Sequence, residues 1–431
     1  MNVRNKINLL IVTLVAISSF FYSGDALSSN SEFGKSIKRE TKIRSISLNS
    51  KLSIDVYVPN GFNNSSQKYS TMYVMDGEHY FTNAIAFQKS LRNNVNASPE
   101  FIVVGLNTEK LDEVPRGRYD LFGTNTDDTI ELLENTIIPY VDNNFPTNKT
   151  RMFFGWQFAA GFGLDLFAKR PNLFEAYFLA SSPTFTQNRI KRTAELLNQR
   201  KNLNNYFYLS LGTTEKHATN NHKKLEELFK RSGNSNIKVH YNLSNLYNHQ
   251  TTPLDSFSNG LLWYFSDYPD ITFYSVKEIK EFGGIAAVKK YYEQRGKRYQ
   301  IDTTIGEQAR FSMFRHAVQE GNWAFYQKIE KETGEYMPDK TSSENWYHFW
   351  GDFYLKHESY IRAEKLYSQA VKVYPESHNL WSILGNIAEK QDQLDLALRH
   401  YTNALIHVDN KHDQHAVYKS QIKQLKELLS N

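Results

Sequence analysis

Gln157 lies within the stretch Phe153–Gly163, FFGWQFAAGFG, the pattern in this chain that most directly bears on chemistry. Met152–Phe154 is a short apolar run ending at Gly155, and a small-residue helical pattern follows through Ala159, Ala160, Gly161 and Gly163. A buried strand turning sharply into such a helix is the geometry that presents a nucleophile, with serine at the centre of G-x-S-x-G. Here the residue two after Gly155 is Gln157. A carboxamide has no ionisable nucleophile and forms no acyl-enzyme. Ser181 and Ser182, at the end of another predicted strand, are the hydroxyls that could act as a displaced nucleophile, although neither occupies such a turn.

The elements that must position these groups follow from the periodicity. Ile43–Leu48 and Leu52–Val58 alternate as a hairpin, and Lys68–Met75 reads as a third strand. Further strands are expected at Phe101–Leu106, Met152–Phe154, Ala176–Ala180, Tyr206–Leu211 and Ile237–Tyr241. Helical patterns lie between them at Phe81–Leu91, Ile130–Val141, after the turn at Gln157, and at His222–Phe229, with a last one at Phe257–Phe265. Alternating strands and helices predict a mainly parallel sheet with helices on both faces. Beyond about Asp267 the chain reads as all helix. Gly351 and Gly385 are 34 residues apart, as are Ala363 and Ala397, Tyr367 and Tyr401, and Ala370 and Ala404. This period resembles tetratricopeptide repeats, which stack helix pairs through small residues. Phe311–Ile329 reads as a degenerate first unit and His415–Leu429 as a capping helix.

Composition narrows the class. With 431 residues, 40% of them hydrophobic, the chain can bury more than one core. Arg4 and Lys6 precede an apolar run to about Tyr22, and Gly24 and Ala26 supply the small residues of a cleavage point. Residues 1–26 therefore read as a signal peptide, making the membrane a contact only before cleavage and the product periplasmic or secreted. Residues 27–42 read as a flexible N-terminus. The absence of cysteine removes disulfides and thiolate metal sites. A net charge of +5 without a clustered basic face argues against nucleic acid. No H-E-x-x-H or phosphate-binding glycine loop is present, and no metal or other cofactor is expected.

Five stretches in order resemble the putative esterase family of α/β-hydrolases, which includes siderophore and feruloyl-type esterases. They are YVMDGEHYF at Tyr73–Phe81, the Arg116/Arg118/Asp120 loop, Arg151–Gly163, Leu173–Phe185 ending in SP, and Asn248–Phe265. The resemblance implies an α/β-hydrolase domain over about 43–266, with helical repeats over 275–431. It makes His249 the base and Glu215 the acid, in the expected chain order, with Asp255 as an alternative acid. The Phe158 amide and the Gly77–Glu78 loop become oxyanion donors, and Arg116, Arg118 and Trp156 substrate-facing residues, with a surface salt bridge as the alternative for the two arginines. Asp76 is expected to brace its own turn by side-chain bonds to the loop backbone. Trp156, Gln157, Ala159 and Ala160 replace the family's His, Ser and two glycines. A strained turn is then no longer required.

Two functions follow as expectations. One is a degenerate hydrolase that keeps its cleft for an ester or acyl ligand, while the repeats take a peptide or protein partner. The other is an active carboxylic ester hydrolase using a displaced serine or a water activated by His249.

Overall fold

The computed structural model describes residues 42–48, 51–59, 67–111, 113, 116–234, 236–337 and 343–430. The expected signal peptide (1–26) and residues 27–41 of the expected flexible segment lie outside them; Lys42 opens the first strand. The chain divides into two compact units, one ending at Pro269 and the other starting at Asp270.

The first unit is built on eight strands: β1 (Lys42–Ser47), β2 (Ser53–Val58), β3 (Tyr69–Met75), β4 (Phe101–Asn107), β5 (Thr147–Trp156), β6 (Ala176–Ala180), β7 (Tyr206–Gly212) and β8 (Lys238–Ser244). They form one sheet in the order β1-β2-β4-β3-β5-β6-β7-β8. The β1–β2 and β2–β4 pairs are antiparallel and all the others parallel. β3 and β6 are almost continuously buried because a parallel sheet is covered on both faces.

The helices are α1 (Gly77–Val95), α2 (Thr126–Leu132) leading through a π-helical turn into α3 (Ile138–Asn144), α4 (Phe158–Lys169), α5 (Gln187–Gln199), α6 (Lys216–Arg231), α7 (Thr252–Asp255) and α8 (Leu261–Tyr264). Strand alternation divides the aromatic residues between two faces. Phe153, Tyr177 and Phe207 are paired across β5, β6 and β7. Around them lie Phe162 and Phe167 of α4 and Phe229 of α6. Their neighbours Phe154, Phe178 and Tyr208 form the second ladder, against Phe257, Tyr264 and Trp263. A one-residue slip would exchange the two faces, so these pairs hold the register.

α5 escaped the sequence reading. Its apolar residues are few, and burial falls on Arg189 and Thr193 as well as Leu196 and Leu197. Arg189 compensates its burial by ion pairing with Asp165 of α4 at 2.8 Å and donating to the carbonyls of Thr184 and Phe122. α1 and α6 extend beyond their expected cores, since polar end turns carry no apolar period.

The second unit is all helical: α9 (Val276–Glu281), α10 (Gly284–Tyr299), α11 (Glu307–Gln319), α12 (Trp323–Thr333), α13 (Glu344–Lys356), α14 (Tyr360–Val373), α15 (His378–Lys390), α16 (Leu394–His407) and α17 (Asp413–Ser430). α13 and α14 begin 34 residues before α15 and α16, respectively. A Cβ on Gly351 would lie 2.3 Å from the Tyr367 ring, and one on Gly385 would lie 2.8 Å from Tyr401. Each glycine thus admits the buried tyrosine of the following helix.

Candidate active site

The candidate residues gather at the carboxyl ends of the parallel strands, where such sheets keep their sites. β5 ends at Trp156 and α4 begins at Phe158, leaving Gln157 at φ 56°, ψ −115°. This corrects the expectation of a relaxed turn: the strain persists without a serine. Its cause is local packing. A Cβ on Gly155 would come within 2.6 Å of the Ala159 carbonyl carbon, so strand and helix meet too closely for a looser path. The Gln157 amide donates to Ala180 O at 3.0 Å, and the Ser182 hydroxyl donates to Gln157 O at 3.0 Å.

Gln157 reaches two partners with the ends of its carboxamide. Oε1 accepts from Arg118 Nη1 at 3.0 Å, and Nε2 lies 2.7 Å from His249 Nε2. Arg118 carries donors only, so it fixes which end of the amide faces it. Gln157 Nε2 must then donate to His249, whose Nε2 accepts and whose proton sits on Nδ1. That Nδ1 is 2.6 Å from Glu215 Oε2. The other Glu215 oxygen accepts from Ser181 Oγ at 2.6 Å and from the Gly212 amide at 3.0 Å. Burial pushes the Glu215 carboxyl up, but the bonds from Ser181, His249 and Gly212 outweigh it and hold it below the usual glutamate range.

Arg118 is held by a bidentate pair with Asp76, both bonds at 2.7 Å, and also donates to Trp156 O. Asp76 thus differs from the expected turn brace: its carboxylate serves Arg118 and the Thr108 hydroxyl. Trp156 donates its indole N–H to His249 O at 2.7 Å, and its ring lies 5.0 Å from the imidazole. Arg116 takes the surface salt bridge rather than the substrate-facing role. Its side chain is 68% exposed and faces Asp120 and Tyr119, because Arg116 precedes the helical turn Gly117–Tyr119 in a left-handed conformation. Gly77 opens α1, and the Glu78 carboxylate accepts from the amide and hydroxyl of Thr108.

Ser181 and Ser182 are both buried. Ser181 Oγ is engaged with Glu215 and Thr252, and the Ser182 hydroxyl with Gln157 O and Thr184. Asp255 is spent on Tyr208, Asn242 and Asn259. The sequence reading missed Thr252 and the role of Ser181 as a donor to Glu215, since isolated hydroxyls carry no pattern.

The sheet order, the strand–turn–helix at Gln157 and the Glu215–His249 pair define an α/β-hydrolase fold. A family model described as Putative esterase matches residues 45–262. The chain belongs to that family. Among solved structures it is similar to an IroE-like serine hydrolase from Shewanella oneidensis, at 14% identity and TM-score 0.51, covering 68% of this chain and 99% of that one. It is also similar to an uncharacterised protein from Capnocytophaga ochracea, at 14% identity and TM-score 0.47, covering 90% and 99%. The siderophore hydrolase EstA from Aspergillus nidulans aligns at 17% identity and TM-score 0.44, covering 56% and 99%. The comparison with curated proteins returned no match.

Proposed function

We propose that this protein is an exported esterase-family member that has given up acyl transfer and binds an ester or acyl ligand in the retained cleft. The observation that carries this reading is Gln157, whose carboxamide fills the tip of the turn and is gripped by Arg118 and His249. In this reading His249 and Glu215 are the former base and acid, and the Phe158 amide and the Gly77–Glu78 loop are oxyanion donors. Arg118 and Trp156 border the ligand. Losing a nucleophilic serine costs on the order of 10⁶ in turnover, whereas binding groups survive the loss. The helical unit is a tetratricopeptide-like surface for a peptide or protein partner.

A serine-directed fluorophosphonate probe tests the reading. No labelling is expected on the intact chain, and labelling at Ser181 or Ser182 would overturn it. The retained Glu215–His249 bond supports the second reading, hydrolysis through a displaced serine. Under that reading, ester turnover would vanish in Ser181→Ala or Ser182→Ala and survive in Gln157→Ala. Export is tested by N-terminal sequencing of the protein in its native host, with a start just after Ala26 expected.

A further inference from the structure

We propose that the Gln157–His249 contact is a proton-operated latch over a binding site for a small carboxylate. This rests on the reading of the cleft as an acyl-ligand site and names the form of ligand it takes. Arg118 fixes Gln157 Oε1 towards itself, so only N–H groups face His249 Nε2. Adding a proton to that ring nitrogen sets donor against donor. The amide cannot resolve this by flipping, because its NH₂ would then face the guanidinium. The Gln157 side chain must swing out.

The vacated position lies between two donors, Arg118 Nη1 and the protonated His249 Nε2. A carboxylate has the shape of a carboxamide, but both of its ends accept. It therefore fits the grip that holds Gln157, with one oxygen on each donor. The surrounding charges make the proton necessary. Asp76 balances Arg118, and Glu215 stands behind Nδ1. Glu78 and Tyr80 lie near the Asp76 carboxylate, and His222 contacts the Ser182 carbonyl and lies within electrostatic reach of Glu215. A carboxylate entering alone would add a negative charge beside Glu215. Entering with a proton, it leaves the charge of the site unchanged.

Calorimetric titration of the full chain with butyrate and with methyl butyrate, at about pH 5.5 and about pH 8, tests the latch. Two buffers of different ionisation heat report proton uptake. Butyrate is expected to bind more tightly at the lower pH, by up to about tenfold per pH unit, with uptake approaching one proton at the higher pH. Methyl butyrate should show no uptake. Gln157→Glu is nearly isosteric and supplies the carboxylate within the chain, so it should abolish the butyrate response while the far-ultraviolet circular dichroism stays unchanged. Butyrate binding without proton uptake at the higher pH, or equally at both pH values, overturns the latch and leaves the acyl-ligand site standing. Sulfate binding with the same uptake overturns the choice of carboxylate. Failure of both organic ligands at both pH values overturns the latch and the acyl-ligand reading together.

Discussion

Gln157 Nε2 stands 2.7 Å from His249 Nε2, at the tip of a turn that keeps φ 56° and ψ −115°. The backbone remains shaped to hold a side chain against the imidazole. Only the chemistry of that side chain departs from a nucleophile's.

Gln157→Ser is therefore expected to introduce measurable hydrolysis of p-nitrophenyl esters, with an initial burst, and the parent chain is expected to show none. Because the turn is already strained, Ala159→Gly and Ala160→Gly should add little. The gain should disappear with His249→Ala, since an unassisted hydroxyl is a poor nucleophile. Stopped-flow release of p-nitrophenol measures all of these.

Backbone strain and side-chain bonding at Gln157 can be separated. A non-glycine residue in this region costs about 1–3 kcal/mol. Gln157→Ala retains the strain and loses both side-chain bonds, so it should destabilise the first unit by about 1–3 kcal/mol. Gln157→Gly loses the same bonds but relieves the strain. It should be more stable than the alanine variant by at least about 1 kcal/mol in denaturant unfolding. Equal midpoints would show that the turn stores no strain.

His222 makes the first unit acid-sensitive. The side chain is fully buried and bonded to Ser182 O, and burial lowers its pKa to about 4. Above about pH 6.5 neither the folded nor the unfolded form is protonated there, and no penalty exists. As pH falls from 6.5 to 4 the unfolded chain takes up a proton that the folded chain refuses, so stability declines by about 3 kcal/mol. Glu215, held below its usual range, adds a loss at lower pH, as the pH falls through its folded-state pKa. His222→Gln should flatten the upper part of the profile, read as unfolding midpoints between pH 7 and pH 4.

Gly351→Ala and Gly385→Ala should each destabilise the helical unit by about 1–3 kcal/mol, because the new methyl group meets a buried tyrosine ring. Removing the ring from the first contact, by Tyr367→Ala in the Gly351→Ala background, should make the glycine substitution nearly neutral relative to Tyr367→Ala alone. Thermal melts of the parent and the three variants form the cycle.

The sequence by itself determined the parallel sheet, the strand-to-helix turn at Gln157 and the 34-residue helical period. Each depends on local periodicity or on small residues where backbones approach closely. It also singled out Glu215 and His249, but only by their order in a resemblance. Tertiary structure decided the rest. Arg116 and Arg118 are two residues apart and look alike in sequence, yet one faces solvent and the other grips Gln157. Asp76 looked like a turn residue and proved to be the partner of Arg118, across 42 positions of chain. α5 was invisible because its burial falls on an arginine whose partners lie on other segments. A turn or a helical face is encoded among neighbours a few residues apart. The donor and acceptor assignments running from Arg118 through Gln157 and His249 to Glu215 exist only once four separate segments meet at the ends of their strands.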